Sequence, residues 1–286
     1  MDFLKRYRKM ISLRGLTDHT VKSYSTYISA YLDYISNKLH KYPSQVTWND
    51  IRDFIEWIQK ERNLSDRTMN HCISQIRFFT LYVLHKPWDT YQIPMRRFDD
   101  YLPYVPSQKE TMAFIDSFTN LKHKAIISLM YSAGLRVGEV CRLKYEDVSR
   151  SNMRIHIKRA KSRSDRYALL SQNALDILTE YWRGNGRPKG YLFPNRDDNE
   201  KPMASFSVNQ FIYAKEEELG WNHNLTCHAF RHAFGTHLYE NGTDLLTIKR
   251  LMGHKSLNST MIYIQLASYT TLAVKSPFDL IGASYG

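Results

Sequence analysis

Along the first eighty-odd residues, apolar side chains recur at spacings of three and four. In LTDHTVKSYSTYISAYLDYI, residues Val21, Tyr24, Ile28, Tyr31, Leu32 and Ile35 share one face of a helix. Thr17 stands just before it, with a hydroxyl suited to capping its first turn. TWNDIRDFIEWIQKE repeats the pattern, with Thr47 as N-cap and Asp50 three residues on, a variant of the capping box. LSDRTMNHCISQIRFFTLYVLHK follows, with Ile73, Ile76, Phe79 and Val83 after a capping Ser65. Lys22, Arg67 and Arg77 interleave with these stripes, on faces that either meet solvent or contact phosphate.

The periodicity breaks between Lys86 and Lys109, where Pro87, Pro94, Pro103 and Pro106 suppress regular structure. Ser107 and Glu110 then form a capping box that restarts helix. The pattern beyond is mixed. A helix from about Lys122 to Tyr131 ends at the Ser132-Ala133-Gly134 break. NMRIHIKRAKSRSDRYALLS alternates Met153, Ile155 and Ile157, then Tyr167 and Leu169, which predicts a hairpin or two strands of a small sheet around a basic, serine-containing turn. Helical spacing returns in NALDILTEYW, in SVNQFIYAKEEELG and in the segment from Cys227 onward. The expected organisation is a helical domain over residues 1–88, a proline-rich linker over 89–106, and a mainly helical domain with one small antiparallel sheet over 107–286.

Charge narrows the possible partners. Forty basic residues against 28 acidic ones give a net charge of +12 and favour a polyanion through counterion release. The excess is distributed: residues 1–105 carry 16 basic and 11 acidic side chains, and the remainder 24 and 17. Two folded parts that each face a polyanion fit this better than a basic tail. No apolar run reaches bilayer length, and MDFLKRYRKMISLRG lacks the apolar stretch of a secretion signal. Cys72, Cys141 and Cys227 are too few and too far apart for a disulfide framework and fit a reducing cytosol.

The stretch HAFRHAFGTH, residues 228–237, concentrates the candidate chemistry. His228 and His232 have the i, i+4 spacing of a metal pair, but Ala229 stands where a zinc protease carries its glutamate. Arg231 beside them opposes a bound cation, so neither a metal nor a cofactor is expected. His228 and Arg231, three apart, suit a phosphodiester instead: a planar guanidinium for its oxygens and an imidazole for its protons. Arg136, after the Ala133-Gly134 break, is a second candidate cation at the start of a helix. Tyr263, among apolar neighbours, is a candidate nucleophile or a core tyrosine.

These segments together resemble the tyrosine recombinase (integrase) family. AGLRVGEVCRL is similar to the box around that family's first catalytic arginine, and KRAKSRSDRYALL to its lysine-bearing hairpin turn. CHAFRHAFGTHLYENG resembles its His-x-x-Arg box, and LMGHKSLNSTMIYIQL its final box, with the nucleophilic tyrosine nine residues after a histidine. The boxes stand in family order over about residues 125–266, and the N-terminal part is similar to a core-binding, SAM-like domain.

The resemblance implies that Tyr263 attacks a scissile phosphate to form a 3′-phosphotyrosyl link, without metal or ATP. Arg136 and Arg231 would hold the non-bridging oxygens, Lys161 would protonate the leaving 5′-oxygen, and His228 and His254 would assist. Glu139 matches a structural acidic position, while His232 and His237 are expected to be structural. The lysine turn departs from the usual Gly-Lys-Gly: it reads Ala160-Lys161-Ser162, its register set by Arg166, with Lys158 as a neighbouring competitor.

At the level of assembly, the resemblance implies a C-shaped clamp on double-stranded DNA bearing specific recombination sites. It also implies a homo-tetramer working through a Holliday junction, with accessory DNA-bending or partner recombinase proteins, in the cytoplasm with the nucleoid. The expected type is a mobile-element integrase or an Xer-like resolvase, without an added arm-binding domain. The tail residues Leu266, Leu272, Val274, Phe278, Leu280 and Ile281 would pack on a neighbouring protomer or on their own domain. A type IB topoisomerase-like nicking-closing enzyme and a catalytically inactive DNA-binding protein are the alternatives.

Overall fold

The computed structural model describes residues 2–99, 101–158 and 165–267. The chain divides into two units, Met1–Tyr101 and Leu102–Gly286. The basic turn around Lys161 and the tail positions from Leu272 to Ile281 fall outside the described residues.

Among its described residues the first unit has four α-helices, α1 (Phe3–Ser12), α2 (Asp18–Tyr34), α3 (Trp48–Arg62) and α4 (Asp66–Tyr82). The sequence-predicted caps hold. Thr17, Thr47 and Ser65 accept from the third backbone N–H of their helices, and the Asp50 carboxylate returns the bond to the Thr47 N–H at 2.8 Å. Each such cap contributes about 1 kcal/mol by satisfying donors the helix cannot reach itself. The apolar stripes meet in a core rich in rings: Tyr31 stands edge-on to Phe54 at 5.0 Å and to Phe79 at 6.2 Å. Tyr7, fully buried, donates its hydroxyl proton to Gln75 Oε1 at 2.7 Å, so this ring carries no unsatisfied polar atom inside.

The proline-rich segment lacks regular structure, yet its first part is anchored to this unit. Ile93 is buried in the core, and Asn70 brackets Arg96 by accepting its backbone N–H at 2.8 Å and donating to its carbonyl at 2.9 Å. Arg96 also pairs with Asp66 at 2.7 Å.

The second unit begins with α5 (Gln108–Asp116), capped as expected by the Ser107 and Glu110 box, whose carboxylate accepts the Ser107 N–H at 2.8 Å. α6 (Leu121–Ser132) is buried almost all round through Ala125, Ile126, Ile127, Leu129 and Met130, and the unit is built on it. Removing such large apolar side chains from water stabilises by roughly 1.5–3 kcal/mol each. It packs against α8 (Gln172–Gly184) and α10 (Cys227–Glu240). The remaining helices are α7 (Val137–Cys141), α9 (Ser205–Glu218), α11 (Leu245–Met252) and α12 (Asn258–Leu266). Among the described residues no helix is long and apolar enough to cross a membrane.

The sheet runs β1 (Val148–Ser149), β2 (Arg154–Ile157), β3 (Arg166–Leu169), all antiparallel. The short β1 carries no alternation of its own and was not legible in the sequence. The expected alternation holds in β2, where Ile155 and Ile157 are buried. In β3 it is reversed: Tyr167 and Leu169 face outward, and the inward positions are Arg166 and Ala168. Register decides this, since Ile155 lies opposite Ala168 and Ile157 opposite Arg166, and partners across a ladder share a face. Tyr167 instead stacks on His156 at 5.0 Å and carries the Arg154 guanidinium 4.2 Å above its ring.

Replacing Phe54 by Ala is expected to destabilise the first unit by about 3–5 kcal/mol, because the surrounding rings cannot close the cavity. Urea denaturation monitored by tryptophan fluorescence measures the loss, and a change under about 1 kcal/mol contradicts this packing.

Candidate active site

The site grows out of two breaks in helical structure and the helix between them. The first follows α6, where Gly134 takes a positive φ of 59° that turns the chain sharply. A Cβ there would stand 2.3 Å from the Phe234 ring, so the turn both needs and protects a glycine. Arg136 becomes the N-cap of α7. Its backbone N–H donates to Glu139 Oε2 at 2.9 Å and its Nη1 to Glu139 Oε1 at 3.0 Å. Arg166, from β3, reaches the same carboxylate with both prongs, at 3.2 and 2.9 Å. Burial pushes the Glu139 pKa up. The Arg166 charge, the bond from the Arg136 backbone and the Arg136 charge outweigh it, and the group is held below the usual carboxylate range.

The second element is α10. His228 lies exposed in its first turn, whereas Arg231, one turn on, is only 5% exposed. Two carbonyls receive the buried guanidinium: Gly134 O from Nη1, and Met252 O from Nη2 at 2.7 Å. Burial first, and the charge of Arg136 next, push its pKa down to about 10, which still leaves it charged at neutral pH. Gly235, one turn further, is a surface for Tyr263: a Cβ there would stand 2.4 Å from the phenol Cζ. A glycine inside a helix costs up to about 1 kcal/mol relative to alanine, so its place here reflects this close approach.

The third element is the turn from α11 to α12. Gly253 caps α11 in the left-handed conformation at φ 63°, and His254 follows it. His254 Nδ1 lies 3.0 Å from the hydroxyl of the fully buried Thr260. Tyr263, on α12, is 1% exposed and lies between two imidazoles, His254 nearly parallel at 6.3 Å and His232 edge-on at 6.1 Å. Burial pushes its phenol up to about 12, against the pull of Arg231 and Arg136. His254 is depressed to about 4 by burial and then by Arg231 and Arg136, and His232 to about 4 by burial and then by His228 and Arg231. Both are neutral at pH 7.

Arg136, Arg231, His254 and Tyr263 are thus electrostatically coupled, and His228 couples to the set through His232. Lys161 lies outside the described residues. Its competitor Lys158 is held at 2.7 Å from Glu146 and 2.8 Å from Asp147, and those carboxylates raise its pKa. His237 is buried with Nδ1 3.0 Å from the Tyr131 hydroxyl, far along α10 from this cluster. His232, expected to be structural, borders Tyr263 directly, and its buried Nδ1 has no hydrogen-bond partner among the described residues. Among those residues no group of three or more His, Cys, Asp or Glu side chains is placed to hold a metal ion.

Sequence reasoning used Arg166 only to set a register and gave no role to Gly235, Gly253 or Thr260. A glycine inside a helical pattern was the available signal for Gly235. For Arg166 nothing signalled that it points inward, because its direction depends on strand register. In the first unit, Lys22, Arg67 and Arg77 are all exposed, with the Arg67 guanidinium 4.8 Å above the Phe98 ring.

The profile of the phage integrase family matches residues 107–269, and that of the phage integrase N-terminal SAM-like domain matches residues 3–90. The chain is 32% identical over 278 residues to a Sinorhizobium fredii protein carried under the name integrase/recombinase y4qK, covering 97% of this chain and 88% of that one. It is 28% identical to the tyrosine recombinase XerA of Pyrococcus horikoshii, covering 93% and 90%. In fold it is similar to the Tn1549 transposon integrase in complex with transposon right end DNA, at a TM-score of 0.75, 18% identity and coverage of 100% and 98%.

The depressed histidines set a pH dependence. With a folded pKa near 4 and an unfolded value near 6.5, the unfolded chain binds more protons between those limits. The free energy of unfolding therefore falls as pH drops through that window. Urea midpoints at pH 7 and pH 5 should show the fall, and a His232→Asn/His254→Asn variant should lose less. An equal loss in both proteins contradicts the assignment.

Proposed function

This chain belongs to the phage integrase family and is a tyrosine recombinase, and from that premise we propose the roles of its residues in DNA strand exchange. The Tyr263 hydroxyl attacks a phosphodiester of double-stranded DNA. The new bond joins the phenolic oxygen to phosphorus, the bond to the 5′-oxygen breaks, and a 3′-phosphotyrosyl link and a free 5′-hydroxyl result. The link conserves the phosphodiester energy, so a 5′-hydroxyl from another strand can reverse the attack without ATP. One observation carries this reading: a tyrosine packed against histidine rings and acted on by two cations, Arg231 and Arg136, from separate elements.

The parts divide the work. Arg231 spends one bond of each Nη on a carbonyl, and a guanidinium has five N–H donors, so the others serve phosphate oxygens. Arg136 supplies the second cation, and both are held in place before reaction, which is where such charges stabilise a transition state most. Tyr263 must lose its proton as it attacks, and a phenol raised to about 12 does not do so unaided. His228 is assigned as the general base that takes this proton, and neutral His254, its Nδ1 engaged by Thr260, is assigned to donate from Nε2 to a phosphate oxygen. Lys161 is assigned to the leaving 5′-oxygen. Lys158, committed to Glu146 and Asp147, is poorly suited to that task. Lys22, Arg67 and Arg77 are assigned to phosphates along the duplex. The domains are assigned as residues 1–88 and 107–286, with 89–106 as linker. The working unit is a tetramer on two recombination sites that passes through a Holliday junction in the cytoplasm.

A nicked suicide duplex carrying the recombination site should trap a protein–DNA adduct that survives SDS. Tyr263→Phe should abolish it, Arg136→Ala should slow it about 10²–10³-fold, and EDTA should leave it intact. Failure of the wild type to form any adduct refutes the recombinase reading, and full inhibition by EDTA refutes the metal-free mechanism.

Binding should also fall steeply with salt, with log K dropping linearly in log salt at a slope of about −0.9 per phosphate neutralised. A slope near zero in an anisotropy titration contradicts a basic face on DNA.

A further inference from the structure

Among the described residues, Arg166 is a cation of the cluster to which the reading above gives no task. Its side chain is 10% exposed, unusually buried for a charged group on a short strand. It grips the Glu139 carboxylate with a two-pronged fork, while Arg136 holds the same carboxylate through its backbone N–H and one Nη. Its Cδ and Nε lie over Gly253, where a Cβ would stand 2.4 Å from Cδ, directly before His254 in the chain. One side chain therefore connects β3, the start of α7 and the turn that carries His254.

The charges explain why such a group is needed. Glu139 anchors Arg136, but a carboxylate in contact with a single guanidinium leaves the pair neutral and weakens its hold on phosphate. At low local dielectric that loss is large. Two guanidinia on one carboxylate leave a positive charge, and the fork of Arg166 takes up both oxygens. We propose that Arg166 is a positioning residue: it balances the Glu139 carboxylate so that Arg136 stays anchored and retains its charge for the scissile phosphate. No phosphate contact is assigned to it: both Nη groups engage Glu139, and its buried Nε has no hydrogen-bond partner among the described residues. Lysine cannot replace it fully, since a point charge lacks the fork and the planar stem that rests on Gly253. This inference rests on the reading that Tyr263 cleaves DNA.

The test uses full-length wild type, Arg166→Met, Arg166→Lys, Glu139→Gln and the double variant Arg166→Met/Glu139→Gln on the nicked suicide duplex. Single-turnover adduct formation is measured at saturating protein, and DNA affinity separately by anisotropy. Arg166→Met should cleave about 100-fold more slowly while binding DNA within about threefold of wild type. Arg166→Lys should recover part of the rate.

The decisive comparison is the double variant. With the carboxylate's charge removed there is nothing left to balance, so it should cleave within about threefold of Glu139→Gln alone. A role limited to packing gives no such rescue. Should Arg166→Met fail to fold, the double variant buries no unbalanced charge, and its rate against Glu139→Gln still decides the matter. A deficit of tenfold or more there, or Arg166→Met cleaving within about threefold of wild type, overturns the proposal. Adduct formation by the wild type separates these outcomes from failure of the recombinase reading itself.

Discussion

The buried guanidinium of Arg231 is the interaction on which the second unit's chemistry depends. It is 5% exposed, with one bond of each Nη on the carbonyls of Gly134 and Met252, which lie 97 and 21 residues away in sequence. A buried charge is tolerated only when its hydrogen bonds are met. Satisfying this one pulls the turn before Arg136 and the turn before His254 onto the same helix. The requirement that stabilises the charge also assembles the site, so its geometry is coupled to folding.

Around that point the electrostatics are unbalanced by design of the fold. Arg136 and Arg166 share one carboxylate, Glu139, while Arg231 is held by two backbone carbonyls, and the histidines nearest Tyr263 are held neutral by burial and by neighbouring positive groups. The result is a cluster of buried and half-buried cations with a surplus of positive charge beside two uncharged imidazoles, an arrangement suited to an anionic ligand. Tyr263 is kept close to it by the missing side chain of Gly235, which lets the phenol lie against α10.

Most of the secondary structure could be read from spacing and caps. Thr17, Thr47, Ser65 and Ser107 stand where helices start, and their bonds form as the residue types predict. β3 could not be read that way. Tyr167 and Leu169 look like the inward pair because they are the larger apolar residues, yet pairing with β2 turns Arg166 and Ala168 inside. Nor did prolines alone say where a segment would dock: the stretch holding Ile93 and Arg96 is packed on the first unit through Asn70 and Asp66.

The sequence by itself determined which chemistry is available. Ordered boxes hold Arg136, His228, Arg231, His254 and Tyr263, metal-favouring neighbours are missing from the histidine stretch, and positive charge is spread over both parts. These are properties of residue type and spacing, which short-range physics preserves. Only the tertiary structure decided which charges are buried, which carboxylate they share and what each histidine faces. Those outcomes depend on partners brought together from distant parts of the chain, and on a burial that shifts a pKa only once the surrounding helices exist. Arg166 shows the difference: in the sequence it marks a register, and in the fold it shares the Glu139 carboxylate with Arg136.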